Sequence, residues 1–226
     1  KSPSKTLKEK NILRIADVFK SKADFNSSIK FLDSTYNIHI TPEIKNKLIE
    51  MHLFSGNPDT SLFLINESFK TILPDNKYFN DLMELRDFIN HFYTNADEKS
   101  KEGFIDFLKS ESLLKQRKVV EANQLLIHIK SSNNSKNIAP LLSLRRAIIL
   151  TRLKKYNEAL SELNFLEGTI FADKSIIMSG QIYERFYNDS SKASQFYFRI
   201  INDYPESIFS EPIRYHLRRL KDNEKI

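Results

Sequence analysis

The 226-residue sequence has no cysteine and no tryptophan, and it has few glycines (4) and prolines (7). Without cysteine there is no disulfide, no zinc–thiolate site and no thiol nucleophile. Eleven chain-breaking residues are few against an average usage of roughly 12% Gly plus Pro. So little glycine predicts few backbone positions that need a positive φ. It argues against Gly-rich phosphate loops, tight β-hairpin turns and β-sandwiches. Long apolar runs are missing as well. Stretches such as Leu62 to Ile65 and Ala147 to Leu150 are short, whereas a membrane-spanning helix needs about 20 apolar residues. A chain that begins at Lys1 rather than Met is expected to have lost a leader or to be a piece of something longer.

Charge of one sign is not in large excess. Lys plus Arg total 35 and Asp plus Glu 29, a net charge of +6, which over this length is ordinary surface charge. Basic clusters occur at Lys115 to Lys118, around Arg145 and Arg146, and near Arg218. The first is flanked by Glu111 and Glu121, and the last by Glu211 and Glu224. A basic nucleic-acid-binding helical repeat is the alternative this composition leaves open, but the interspersed acids argue against a nucleic-acid partner. Hydrophobic residues at 40% and charged residues at 28% read as a globular chain long enough for a sizeable core.

What is abundant is helical periodicity. Apolar residues recur at spacings of three and four: Ile12, Ile15, Ala16 and Phe19; Ile44, Leu48 and Met51; Leu82, Leu85, Phe88, Ile89 and Phe92; Leu141, Leu144, Ala147 and Ile148. Strand-type alternation is not sustained anywhere. Punctuation falls between the runs. Thr41-Pro42-Glu43 reads as a helix cap with Pro at the first position. Ser55 to Asp59, Leu73 to Asn76, Ser131 to Ser135, Asn188 to Ser191 and Asp203 to Ser207 read as turns. The fold class is all-α, with about twelve helices near 4–21, 24–36, 42–54, 58–72, 78–94, 98–116, 118–131, 138–153, 156–168, 173–188, 190–203 and 208–221. Short connections make neighbours antiparallel.

No catalytic or metal-binding pattern emerges. His39, His52, His91, His128 and His216 are scattered, with no HExxH spacing. Four glycines support no nucleophile elbow, Walker loop or dinucleotide fingerprint. The expectation is a protein that is not an enzyme and carries no cofactor and no metal.

Twelve similar helices call for a search for repeats. Lys155-Tyr156-Asn157-Glu158-Ala159-Leu160 is similar to the second helix of a tetratricopeptide repeat, with an aromatic residue three positions before a small one. Ala159 and Ala193 are 34 residues apart, the length of that repeat. Ala147 and Gly180 are candidates for the small position in the first helices. They precede their partners by 12 and 13 residues, so one turn must be a residue longer. Earlier units place Ala16 with Ser28, then Ser61, then Ser110 with Ala122. From Ser61 to Ala122 the distance is 61 residues, about 27 more than one repeat, so the helix near 78–94 is surplus.

The resemblance implies a right-handed α-solenoid of antiparallel helix pairs. It forms a single helical-repeat domain over 1–226, interrupted near 78–94, with 208–226 as capping helix and tail. Tyr204-Pro205-Glu206-Ser207, followed by the Arg-rich segment at Arg214, Arg218 and Arg219, resembles the closing repeats of bacterial envelope proteins of the outer-membrane assembly lipoprotein and Tol-associated type. That implies a periplasmic or envelope-associated setting, with a cytoplasmic one as the alternative.

The resemblance also implies that the first helix of each pair lines a concave groove that binds a peptide or protein partner. Carried over by register, the groove positions are Phe104, Phe107, Glu111 and Lys115; Leu141, Leu144, Ile148 and Arg152; and Lys174, Ile177, Gln181 and Arg185. The apolar members would hold apolar side chains of a partner. Lys115, Arg152 and Arg185 would meet its acidic groups. The alternatives are that these apolar residues are simply core, or that the chain is a helical domain packing within a larger protein.

Overall fold

The computed structural model describes residues 3–36, 41–132 and 136–223. His39, the Asn133 to Ser135 part of the polar connection and the end of the tail lie outside the described residues. Within them there are twelve α-helices, one π-helical turn and no β-strand. The helices are α1 (Pro3–Ser21), α2 (Phe25–Tyr36), α3 (Pro42–Phe54), α4 (Pro58–Phe69), α5 (Phe79–Ile89), α6 (Glu98–Lys115), α7 (Val119–Ser131), α8 (Ala139–Arg152), α9 (Tyr156–Asn164), α10 (Ala172–Phe186), α11 (Ser190–Asp203) and α12 (Ser210–Asn223). The π turn, Asn90–Thr94, continues α5.

Local chemistry sets several of the boundaries. Thr41 caps α3 by accepting from the Ile44 N–H at 3.3 Å, with Pro42 at the first helical position. Asp97 caps α6 through the Ser100 N–H at 3.0 Å, and Asp189 caps α11 through the Lys192 N–H at 2.8 Å. Each cap satisfies a backbone donor that the first turn leaves without a partner.

The chain forms two compact units, Lys1–Ile138 and Ala139–Ile226. In the second unit α8 to α12 pack each on its sequence neighbours, the arrangement of an α-solenoid. Ile176, Ile177, Ala193, Tyr197, Ile200, Ile213 and Leu217 form a core shared by α10, α11 and α12. In the first unit α1 to α4 pack in sequence, and α3 also touches α6.

One geometry recurs in five helix pairs, α1/α2, α3/α4, α6/α7, α8/α9 and α10/α11. The small residue of each second helix, namely Ser28, Ser61, Ala122, Ala159 or Ala193, is fully buried. Five positions before it lies a residue with positive φ: Ala23 (57°), Gly56 (85°), Arg117 (63°), Lys154 (60°) and Asn188 (52°). In four pairs the next N–H reaches five residues back: Asp24 to Phe19, Asn57 to His52, Lys118 to Leu113 and Lys155 to Leu150, at 2.9–3.0 Å. This is the left-handed C-terminal cap that reverses the chain. In the fifth pair the Asp189 N–H reaches six residues back, to Tyr183 at 3.0 Å. That is the longer turn which the 12- and 13-residue spacings require.

The expected crossings are therefore present. Ala147, Ala159 and Ala193 have no exposed surface, and Gly180 is buried. Ser28 and Ser61 use the same closeness differently. Each hydroxyl donates to a carbonyl twelve residues back, Ala16 at 3.4 Å and Ile49 at 3.0 Å. Positive φ is confined to six positions among the described residues, but it does not follow glycine, because four of these five turns place a non-glycine residue there. The cap's hydrogen bonds and the helix packing hold residues that would otherwise avoid the region.

Candidate partner-binding surface

The groove positions fall on the first helices of successive pairs, α6, α8 and α10. Within each helix they share one face, being spaced by three or four. The structure divides them by burial. Lys115, Arg152 and Arg185 are exposed, and Leu144, Ile148 and Gln181 are partly buried. Glu111 is also partly buried. Lys174 is exposed at 5.6 Å from the Phe171 ring centre.

Four positions are corrected. Phe104 and Phe107 are buried, at 0% and 2% exposure. The surplus segment lies on them. Phe88 of α5 stands 5.5 Å from Phe104 and 6.5 Å from Phe107, and Tyr93 of the π turn stands 5.7 Å from Phe104. Phe92 and Tyr93, both in the π turn, are buried. Burial, together with a hydrogen bond donated to Asp59 at 2.7 Å, pushes the Tyr93 phenol up to about 12. Leu141 and Ile177 are buried too, and Ile177 belongs to the α10–α12 core. These four residues support helix packing and offer no free side chain to a partner.

The remaining set in the second unit is Leu144, Ile148 and Arg152 on α8, with Gln181 and Arg185 on α10. Both helices pack against α9. Tyr156, at the start of α9, stacks on Phe186 at the end of α10, with ring centres 4.3 Å apart and planes at 13°. The Tyr187 hydroxyl donates to Asn157 Oδ1 at 2.6 Å. These contacts hold the start of α9, which follows α8 directly, against the end of α10. Arg152 and Arg185 hold equivalent register positions, each five residues after its small residue, Ala147 or Gly180. Leu153 and Phe186, which follow them, are 40% and 44% exposed.

Electrostatics separates these two arginines from the cations around them. Arg146 is paired with Glu162, Lys155 with Glu158 at 3.0 Å, and Arg199 with Glu167 at 2.6 Å. Arg152 and Arg185 have no ion pair among the described residues. Behind Arg185, Glu184 accepts from the Tyr197 hydroxyl at 2.6 Å and pairs with His216 Nε2 at 2.9 Å. Burial opposes ionisation of Glu184. The Tyr197 and His216 hydrogen bonds outweigh it and hold the carboxyl below its usual range. Burial and the same bond raise the Tyr197 phenol. This network ties α12 to α10 and α11. Sequence reasoning missed it, because Glu184 and His216 are 32 residues apart and belong to no motif.

Among the described residues no three His, Asp or Glu side chains cluster as metal ligands. No helix among them is long and apolar enough to cross a membrane. No protein-family model matches the chain, and no curated protein matches it. A solved structure reported as "Functional Characterization of Pseudomonas Aeruginosa pilF" is similar over 94% of this chain and 99% of its own, at 12% identity and a TM-score of 0.41. That degree of likeness leaves the fold resting on this chain's own helix pairs and their repeated turns.

Proposed function

We propose that the chain is a non-catalytic protein-interaction or scaffolding module that binds a peptide or partner protein on the α8/α10 face. The observation that supports this most is the pair Arg152 and Arg185. Successive repeats present the same cation at the same register position, exposed and with no ion pair among the described residues, and on α8 it follows the partly buried Leu144 and Ile148. Unpaired arginines next to apolar surface are suited to an acidic segment with apolar anchors, because guanidinium binds carboxylate bidentately and apolar contacts add affinity. Lys115 holds the same register in α6, five residues after Ser110. The resemblance of the last segment to envelope proteins makes a bacterial envelope complex the setting to test.

The experiment is affinity capture from the source organism's envelope and cytosolic fractions. It compares wild type with Arg152→Glu and Leu144→Asp, and circular dichroism confirms the fold. A specific protein captured by wild type and lost from folded Arg152→Glu supports the surface. Retention of every captured protein by both folded variants removes it. Salt-sensitive capture of RNA or DNA in place of protein would favour the nucleic-acid reading.

A further inference from the structure

A cavity of about 750 Å³ in the first unit lies where the repeat is interrupted. After α4 the chain does not enter a new helix pair directly. Residues 70–78 form an ordered connection, held by the Thr71 and Ile72 N–H groups on the Ser68 carbonyl and by the Asn76 side chain on the Tyr78 N–H at 3.0 Å. Lys45 and Asn46 come from α3, Ile72, Leu73 and Tyr78 from this connection, and Leu82 from α5. The volume falls in the range of small-molecule sites, roughly 300–1,000 Å³.

The walls are mainly apolar and carry one partly buried cation, Lys45. The acids near it are engaged elsewhere. Glu67 pairs with Lys70, and Glu43 pairs with Lys77 at 2.9 Å. Lys45 has no ion pair among the described residues, and burial holds its ammonium below the usual lysine range. The opposing charge in the lining is Asp75, exposed on the connection. A partly desolvated cation with no direct ion pair, beside apolar side chains, is complementary to a ligand with an anionic head and an apolar body.

We propose that this cleft binds a small amphipathic organic anion, with Lys45 on the anionic head and Ile72, Tyr78 and Leu82 around the apolar body. The site is separate from the α8/α10 face and does not depend on it. Calorimetric titration of the full chain uses decanoate, decanol and decylammonium as probes. Decanoate should bind at one saturable site, with decanol at least about tenfold weaker, as the loss of one charge-assisted contact requires. Lys45→Met should bring decanoate down to the level of decanol, Lys45→Arg should retain it, and Lys30→Met, on an exposed lysine outside the lining, should leave it unchanged. Asp75→Asn should tighten it. In wild type, methyl chemical shifts of Ile72 and Leu82 should move with decanoate, which tests the location even if Lys45→Met fails to fold. Absence of saturable decanoate binding, equal affinity in folded Lys45→Met, tighter decylammonium binding, or shifts confined to other residues would overturn the proposal.

Discussion

Tyr197 lies across Gly180 so closely that a Cβ added at position 180 would stand 2.5 Å from its Cε1 atom. Tyr197 is 1% exposed and hydrogen-bonded to Glu184 on the same helix as Gly180. The α10/α11 crossing is thus set by the missing side chain on one helix and the ring that fills its place from the other. Gly180→Ala should destabilise the protein by about 1–3 kcal/mol, the usual penalty of overpacking, despite alanine's better helix propensity. Urea unfolding measures it. A neutral or stabilising result would contradict the crossing.

Ala159→Leu tests the equivalent crossing of α8 and α9. Ala159 has no exposed surface, so the added carbons should force a shift costing about 1–3 kcal/mol. Thermal unfolding that matches wild type would show that the register is wrong.

The turns give a prediction of the opposite sign. Lys154 is exposed and sits at φ 60°, which strains a residue with a Cβ and suits glycine. Lys154→Gly should stabilise by about 0.5–1 kcal/mol. Gly56→Ala, at φ 85° and with Ile105 Cγ2 3.4 Å from the added Cβ, should destabilise. The two melting temperatures should move in opposite directions, and movement in the same direction would refute the shared turn geometry.

Acid should loosen the attachment of α12. Glu184 has a folded pKa below its ordinary 4.5, so its ionised form stabilises the fold. The contribution is fully present above 4.5 and is lost as pH falls through the lower folded value. Glu50, which pairs with Lys20 and Lys47, is also lowered and adds to the same trend. Glu184→Gln should weaken the fold near pH 6 and flatten the fall in stability as pH drops below the ordinary 4.5. Unchanged pH dependence of the urea midpoint would count against the Glu184–His216 contact.

The helices and crossings were legible in the sequence because their signals are local. Apolar spacing, Thr41-Pro42, and the small residues from Ser28 to Ala193 lie within a turn or two of what they specify. The 13-residue spacing from Gly180 to Ala193 even located the longer turn. The state of Phe104 and Phe107 was not legible. Their spacing is the same whether a face is open or covered, and only the packing of Phe88, Phe92 and Tyr93 decides it. Ile177 failed for the same reason, since its neighbours come from α11 and α12. Positive φ at Ala23, Arg117 and Lys154 was hidden because the cap's hydrogen bonds, and not the residue type, impose it. The Lys45 cleft depends on where the connection at 70–78 runs, which no periodic pattern records.

The most direct test of the partner surface is a double-mutant cycle on the captured partner, measuring its dissociation constant for wild type, Arg152→Glu, Arg185→Glu and the double variant. If both arginines meet one acidic segment, each single change should weaken binding by at least about tenfold, and the double variant should fall short of the sum. The effect should shrink at high salt. Full-strength binding by the folded double variant would contradict the account.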